Sequence, residues 1–400
     1  MELQELRGLS TQSPSKILLL VMDGLGGLPR EEGGLTELET ANTPNLDALA
    51  AKSICGLHEP VGPGITPGSG PGHLALFGYD PLKFEFGRGV LEALGINFDL
   101  KKTDVAARGN FASKKDGLIV DRRAGRIDTE SSSKLCELLQ KNVSLPGVQA
   151  FVEPVKEHRF ALVLRGEGLS DKLTETDPEK EGRPAPKVEA LDPAAQRSAD
   201  LANMFIEQAE KILAGHFPAN FVMLRGFAKY PNIPTVQDIY GLRAAAVAAY
   251  PMYRGLGKLV GMETLPSGET FGEEVAALKS NYDRFDYLYI HYKKTDSSGE
   301  DGDFDRKVKA IEEADKYIPE LLGLKPDVMI VTGDHSTPSV LRGHSWHPVP
   351  VLLYSKYCRP DVVKEFSERA CALGSLGRFP ANQLMPLAMA NALKLNKFGA

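Results

Sequence analysis

Asp334, His335 and His344 fall within VTGDHSTPSVLRGHSWHPVPVLLYS, spaced as ligands of a divalent cation would be. The apolar run Val328 to Val331 reads as a strand that would present Asp334 and His335 at its carboxyl end, where open α/β sheets build their ligand crevices. An adjacent Asp and His offer a carboxylate oxygen and an imidazole nitrogen to one ion. The same pair in a turn also serves plain local hydrogen bonding, so its meaning depends on company elsewhere in the chain.

Three other turns supply that company. Asp23 follows the run ILLLVM, Ser69 lies in TPGSGPGH, and Asp296 to Glu300 form DSSGE. Carboxylates and imidazoles without thiolates suit two ions of Mn, Mg, Zn or Co. Such a pair, about 3.5 to 4 Å apart, clamps the attacking and leaving oxygens of an in-line phosphoryl displacement. Ser69 is the candidate nucleophile, because a Gly-rich loop enters a helix there, with Pro71 and Gly72 compatible with its first turn. Free N–H groups at a helix start favour a phosphorylated product. A serine in that place is also compatible with an ordinary N-cap.

Basic residues form the next set. DRRAGRI concentrates Arg122, Arg123 and Arg126, with Arg108 upstream, and guanidinium forks match phosphate and carboxylate. A solvated basic turn has the same composition. Arg225, Arg254 and Lys258 are further candidates in Gly-containing turns or helix starts, and His73 lies about one turn beyond Ser69, where it could contact substrate or pack. Two patterns are set aside. Gly24, Gly26 and Gly27 do not have dinucleotide-loop spacing, and DGDFDRKVKAIEE has Arg306 where a calcium loop needs its turn glycine.

The elements that must position these residues read as α/β. Ile17 to Met22 is a buried strand, Ala41 to Lys52 a helix capped by Thr43 with Pro44 at its first position, and Val61 to Gly72 a Gly/Pro-rich loop. Strand and helix alternation resumes with AAAVAAY, MYRGLGKLVG, FDYLYIHY, one long helix from Phe304 to Leu322, DVMIVTG and PVPVLLYS, predicting a parallel sheet. Between them RFALVLRG and FVMLRGF flank the polar TETDPEKEGRPAPK. The expected architecture is a discontinuous parallel-sheet core over residues 1–103 and 241–400, interrupted by a smaller α+β domain over 104–240.

Composition narrows the class. The chain of 400 residues carries 47 basic against 53 acidic side chains, a net charge of -6, which disfavours nucleic acid as a partner. Cys55, Cys136, Cys358 and Cys371 form no CxxC pair, which fits a reducing cytoplasm. ILLLVM is far too short to span a membrane, so no membrane association is expected.

The motifs VMDGLGG, ANTPNLDALA, GPGITPGSGPGHLALFGYDP, GRGVLEALG, DRRAGRI, TDSSGEDGD and VTGDHSTP followed by HSWHPVP resemble, in the same order, those of the archaeal-type cofactor-independent phosphoglycerate mutases. That family belongs to the alkaline phosphatase superfamily, and the resemblance runs from about residue 16 to 395. It implies an alkaline-phosphatase-like core and interconversion of 3-phosphoglycerate and 2-phosphoglycerate through a phosphoserine at Ser69. It implies two divalent metals, manganese foremost, and no bisphosphoglycerate. On this mapping Asp23, Ser69, Asp334 and His335 surround one ion; Asp296, Glu300 and His344 surround the other. His344 is favoured over His347 because the family's ligand histidine stands first in HSxxPVP. The inserted domain's arginines would hold the small phosphorylated hydroxy acid. Two positions depart from the pattern: Glu300 stands where the family usually has His, and Gly70 where an acidic residue commonly follows the serine. Neighbouring activities are a phosphomonoesterase, a phosphotransferase on another hydroxy acid such as homoserine, or a member that binds without turnover.

Overall fold

The computed structural model describes residues 3–84 and 86–399. Among these the strands are, in chain order, β1 (Ile17–Met22), β2 (Ile54–Glu59), β3 (Val105–Lys115), β4 (Leu118–Asp121), β5 (Gln149–Lys156), β6 (Arg159–Arg165), β7 (Phe221–Ala228), β8 (Ala244–Val247), β9 (Glu263–Thr264), β10 (Tyr287–Tyr292), β11 (Val328–Thr332), β12 (Val349–Ser355) and β13 (Gly377–Pro380). The chain divides into two compact units. One comprises Met1–Glu85, Ile233–Tyr250 and Leu256–Ala400, the other Phe86–Asn232 and Pro251–Gly255.

The first unit is built on an eight-stranded sheet of order β13-β2-β12-β11-β1-β10-β8-β9. β1 is buried along its whole length, as a parallel strand covered on both faces must be, and this explains its unbroken run of Leu, Ile, Val and Met. It pairs in parallel with both β10 and β11, bringing Met22 opposite Tyr292 and Val21 opposite Thr332. The carboxyl ends of three neighbouring strands therefore lie side by side. Beneath them Leu18, Leu20, Ile290, Met329 and Val331 join one core cluster, each burial worth roughly 1.5–3 kcal/mol.

Two details of the first unit differ from the sequence expectation. β12 runs antiparallel to both β11 and β2 rather than completing a parallel sheet. Between β11 and β12 there is no helix to carry a parallel crossover, so the chain simply turns back. The predicted long helix is two, Phe304–Asp315 and Ile318–Gly323, with Pro319 in the first turn of the second. Proline has no N–H to give the carbonyl four residues back; that carbonyl, of Asp315, accepts from Asn45 Nδ2 at 3.3 Å instead. The Asp315 carboxylate also accepts from Leu46 N at 2.7 Å. It thus caps the helix Pro44–Ala50, whose N-cap Thr43 makes no side-chain capping bond.

The second unit carries an antiparallel sheet in which β3 lies between β6 and β7, with β4 on β3 and β5 on β6. The helices Thr129–Asn142 and Gln196–Leu213 contribute Leu135, Leu139, Ala202 and Phe205 to a core shared with Phe111, Phe160 and Leu162. Its main segment is bounded at 85/86 and 232/233, where the sequence reading places 103/104 and 240/241, and its second, short segment at 250/251 and 255/256. Residues ahead of β3 are tied into this unit by side chains the periodicity does not reveal. Phe98 packs edge-on against Phe151 at 5.1 Å, and Arg165 bonds both the Asp99 carbonyl and the Asp104 carboxylate. No helix among the described residues is long and apolar enough to cross a membrane.

Candidate active site and metal centre

The carboxyl ends of β11, β1 and β10 place Asp334 and His335, Asp23, and the segment Lys293–Asp296 at one edge of the sheet. Asp23, Asp296, Asp334 and His335 are wholly buried. The turn after β1 works only with glycine at position 24, where φ is +63° and a Cβ would meet Thr337 Oγ1 at 2.4 Å and Asp296 Oδ1 at 2.8 Å. Glycine 72 has the same value on the facing helix, because a Cβ there would sit 2.3 Å from the Asp334 carbonyl.

Ser69 opens the helix Ser69–Leu76 behind the N-cap Gly68. Its Oγ lies 3.2 Å from His335 Nε2. That nitrogen is also 3.3 Å from Asp23 Oδ1 and 3.2 Å from Asp334 Oδ2. Tetrahedral ligands at about 2.0–2.2 Å from a metal stand about 3.3–3.6 Å from one another, so these separations suit a shared ion. Asp334 Oδ2, fully buried, has no hydrogen bond of good geometry although His73 Nδ1 is only 3.0 Å away. His73 Nδ1 instead donates to the Ser69 carbonyl at 2.8 Å. An anionic oxygen sealed from water, with a second buried carboxylate and an imidazole nitrogen close by, is the donor set of a cation site.

Among the described residues, two groups of three His or Asp side chains have ligand atoms within 4.8 Å of one another: Asp23, Asp334 and His335, and Asp296, His335 and His344. His344 Nε2 is 3.5 Å from Asp296 Oδ1 and 3.9 Å from Glu300 Oε1. Glu300 joins neither group and its side chain is 54% exposed, so it stands at the rim beside His344. His347 turns elsewhere, its Nδ1 3.0 Å from Ser345 Oγ.

The charges hold one another. Burial opposes ionisation of Asp23, yet the Lys293 ammonium and contacts from His291 and His335 keep its carboxyl well below the ordinary range. Burial likewise opposes the His335 imidazolium, but the carboxylates of Asp334, Asp23 and Asp296 push it up to about 9. Lys293 Nζ donates to Asp23 Oδ2 at 2.9 Å and Asp296 Oδ2 at 2.5 Å, bridging the two carboxylates. Sequence reasoning missed Lys293, His291 and Thr337: Lys293 and Thr337 are not metal-ligand types, and His291 lies inside the apolar strand YLYIHY. The available signal was position: Lys293 directly follows a buried strand and precedes Asp296 by one helical turn.

The basic candidates fall into the second unit, apart from His73 and Lys258. Arg122 forks onto Asp177 at 2.7 and 2.8 Å, and Arg225 reaches the same carboxylate at 3.0 Å and Glu175 at 3.0 Å. Arg108 lies 3.6 Å from Glu92, and Arg254 Nε donates to the Gly95 carbonyl at 3.2 Å. Arg123 and Arg126 are exposed. The imidazole of buried His158 is pushed down to about 3 by its burial first and then by the charges of Arg159, Arg108, Arg123 and Arg126. Lys258 is half-buried in the last turn of the helix Pro251–Leu259.

An α/β sheet with a serine hydroxyl beside two carboxylate–imidazole groups at its carboxyl edge defines a class of proteins equipped for metal-assisted group transfer at a serine. The sequence profile of the 2,3-bisphosphoglycerate-independent phosphoglycerate mutases matches residues 50–220. A probable 2,3-bisphosphoglycerate-independent phosphoglycerate mutase of Thermosipho melanesiensis is 53% identical over 398 residues, 99% of each chain. A like-named protein of Thermus thermophilus is 50% identical over 400 residues, 99% of this chain and 98% of the other. The chain belongs to this mutase family. Among solved structures, a protein of Pyrococcus horikoshii superposes with a TM-score of 0.84 at 30% identity, covering 96% of this chain and 99% of that one. The cofactor-independent phosphoglycerate mutase of Thermoplasma acidophilum does so with a TM-score of 0.67 at 31% identity, covering 94% and 100%.

Proposed function

We propose that this protein interconverts 3-phosphoglycerate and 2-phosphoglycerate through a phosphoserine at Ser69, with two divalent cations and without bisphosphoglycerate. The observation that carries the reading is the placement of Ser69 Oγ 3.2 Å from His335 Nε2, within the buried cluster of Asp23 and Asp334. Ser69 Oγ bonds to the substrate phosphorus as the phosphorus–oxygen bond to the glycerate carbon breaks, and the leaving oxygen gains the proton that the serine gives up. The glycerate then turns, its other hydroxyl attacks the phosphoserine, and the serine recovers a proton. No water enters the balance.

Asp23, Asp334, His335 and Ser69 would hold one cation and Asp296 and His344 the other, with Glu300 as an outer carboxylate in place of a histidine. Bound there, the cations would lower the serine hydroxyl's pKa and neutralise charge on the transferring phosphoryl oxygens. Oxygen-rich ligation favours Mn or Mg over Zn, and manganese is the proposed ion. The free N–H groups of Ser69 and Gly70, ahead of proline 71, are available to phosphoryl oxygens at the helix start. Lys293 adds a cation between Asp23 and Asp296. Arg108, Arg123 and Arg126, whose charges all act on His158, and Arg122 and Arg225, which share Asp177, would bind the substrate's anionic groups. Four cysteines without a CxxC pair suit a cytoplasmic enzyme.

The test is phosphorus NMR of 3-phosphoglycerate incubated with Mn-loaded protein and no bisphosphoglycerate. Appearance of 2-phosphoglycerate, lost by more than about 10⁴-fold in Ser69→Ala, is the expected result. Release of inorganic phosphate instead would mark a phosphatase, and full activity in Ser69→Ala would exclude the phosphoserine.

A further inference from the structure

We infer that Thr337 is a positioning residue that selects the coordinating nitrogen of His335 and so assigns this histidine to one of the two candidate metal groups. The inference rests on the proposed two-metal reading and deepens it.

The argument begins with a hydroxyl that has one proton. Thr337 is fully buried, and its Oγ1 lies 2.6 Å from Asp296 Oδ1 and 3.0 Å from His335 Nδ1. The carboxylate of Asp296 can only accept, so the hydroxyl proton goes to it. What Oγ1 then offers His335 is a lone pair, and Nδ1 must carry the hydrogen. Nε2 is left as the nitrogen for coordination, and it is the one facing Ser69 Oγ, Asp23 Oδ1 and Asp334 Oδ2 at 3.2, 3.3 and 3.2 Å.

His344 is fixed independently and in the same tautomer. Its Nδ1 lies 2.9 Å from the Pro67 carbonyl, which can only accept, so its Nε2 is free to face Asp296 and Glu300. The two rings stack at 3.6 Å with 22° between their planes, yet present Nε2 to different carboxylates. His335 belongs by distance to both groups of three. Thr337 removes that ambiguity, and because it also holds Asp296 it ties the two groups into one hydrogen-bonded chain: Asp296, Thr337, His335.

The backbone holds Thr337 still. Its N–H donates to the Gly26 carbonyl at 3.0 Å, and its carbonyl accepts from buried Lys307 Nζ at 2.8 Å. Lys307 spends its other two protons on the carbonyls of Gly24 and Gly26, both at 2.9 Å. The turn after β1 and the turn after β11 are thereby locked to one ammonium, and the hydroxyl between the two groups has little freedom to swing away.

The experiment compares wild type, Thr337→Ser, Thr337→Val and Thr337→Ala by calorimetric titration of the metal-stripped proteins with Mn, alongside visible spectra of the Co-substituted forms. Thr337→Ser is expected to match wild type. Val and Ala are expected to weaken one of two Mn-binding events by about 10–100-fold and to alter the Co spectrum. Should Val prove unable to fold, Ala against Ser makes the same comparison. Wild-type affinity and spectrum in both Val and Ala would overturn the inference, as would a Ser variant impaired as much as they are. Wild type that binds no Mn would overturn the two-metal reading and this inference together, whereas wild type that binds Mn with indifferent variants would overturn this inference alone.

Discussion

Two buried histidines show how differently the two units are prepared. His335 in the first unit lies among Asp334, Asp23 and Asp296, and despite burial its imidazole is pushed up to about 9. His158 in the second is as well buried, but burial together with Arg159, Arg108, Arg123 and Arg126 pushes it down to about 3. The same side chain reports a field suited to cations in one place and to anions in the other. The construction differs too. The carboxylates of the first unit are sealed and cross-braced by Lys293 and Thr337. The arginines of the second are partly exposed, and two share the carboxylate of Asp177, a partner against which a substrate anion would compete.

The sharpest way to break this comparison is on the cation side. Asp334→Asn keeps the shape of the side chain and removes a charge from the group around His335, so Mn affinity should fall by more than about 100-fold and mutase activity by about 10³-fold or more. Calorimetry and phosphorus NMR of 3-phosphoglycerate conversion read the two effects. Near-normal Mn binding in this variant would mean that the cluster around His335 is an internal ion-pair network and not a metal centre.

On the anion side the expected effect is smaller and of another kind. Arg123→Ala with Arg126→Ala removes two exposed guanidiniums from the cluster around His158. KM for 3-phosphoglycerate should rise by about 10–100-fold while Mn affinity stays at the wild-type value. The split between the two readouts is the point: a variant that lost metal and kept KM would show that the division of labour drawn here is wrong.

Much of the first unit's buried cluster was legible because its residues sit at places the chain itself marks. Asp23 and Asp334 each end an apolar run in a turn with glycine, and Ser69 stands where a Gly-rich loop becomes a helix. Thr337 and Lys293 were not legible in that way. Their roles exist only because β10, β1 and β11 are neighbours, and strand order is not written in any one segment's periodicity. The direction of β12 was hidden for a related reason, since a strand buried on both faces has the same pattern whichever way it runs. The joints of the second unit depended on contacts across a long separation in sequence, among them the packing of the helix Arg88–Gly95 against β3, β6 and β7 and the bonds of Arg165 to Asp99 and Asp104.

The smallest expected effect tests the field around His158 without touching an arginine. Its native pKa is depressed to about 3, below the ordinary imidazole value of 6.5. Above pH 6.5 both folded and unfolded chains hold it neutral, and it adds no pH dependence. As pH falls below 6.5 the unfolded chain takes up a proton that the native protein refuses until about pH 3. Stability attributable to this group therefore declines between these limits, by at most about 1.4 kcal/mol per pH unit. His158→Gln cannot take up that proton in either state, so its melting temperature should fall less steeply than that of wild type from pH 6.5 towards pH 4. Adding inorganic phosphate should flatten the wild-type slope only if the anion sits among the same arginines, since partial neutralisation of their charge lets the native histidine accept a proton sooner. If both proteins lose stability along the same acid slope, the arginines do not set the state of His158, and the contrast with His335 fails.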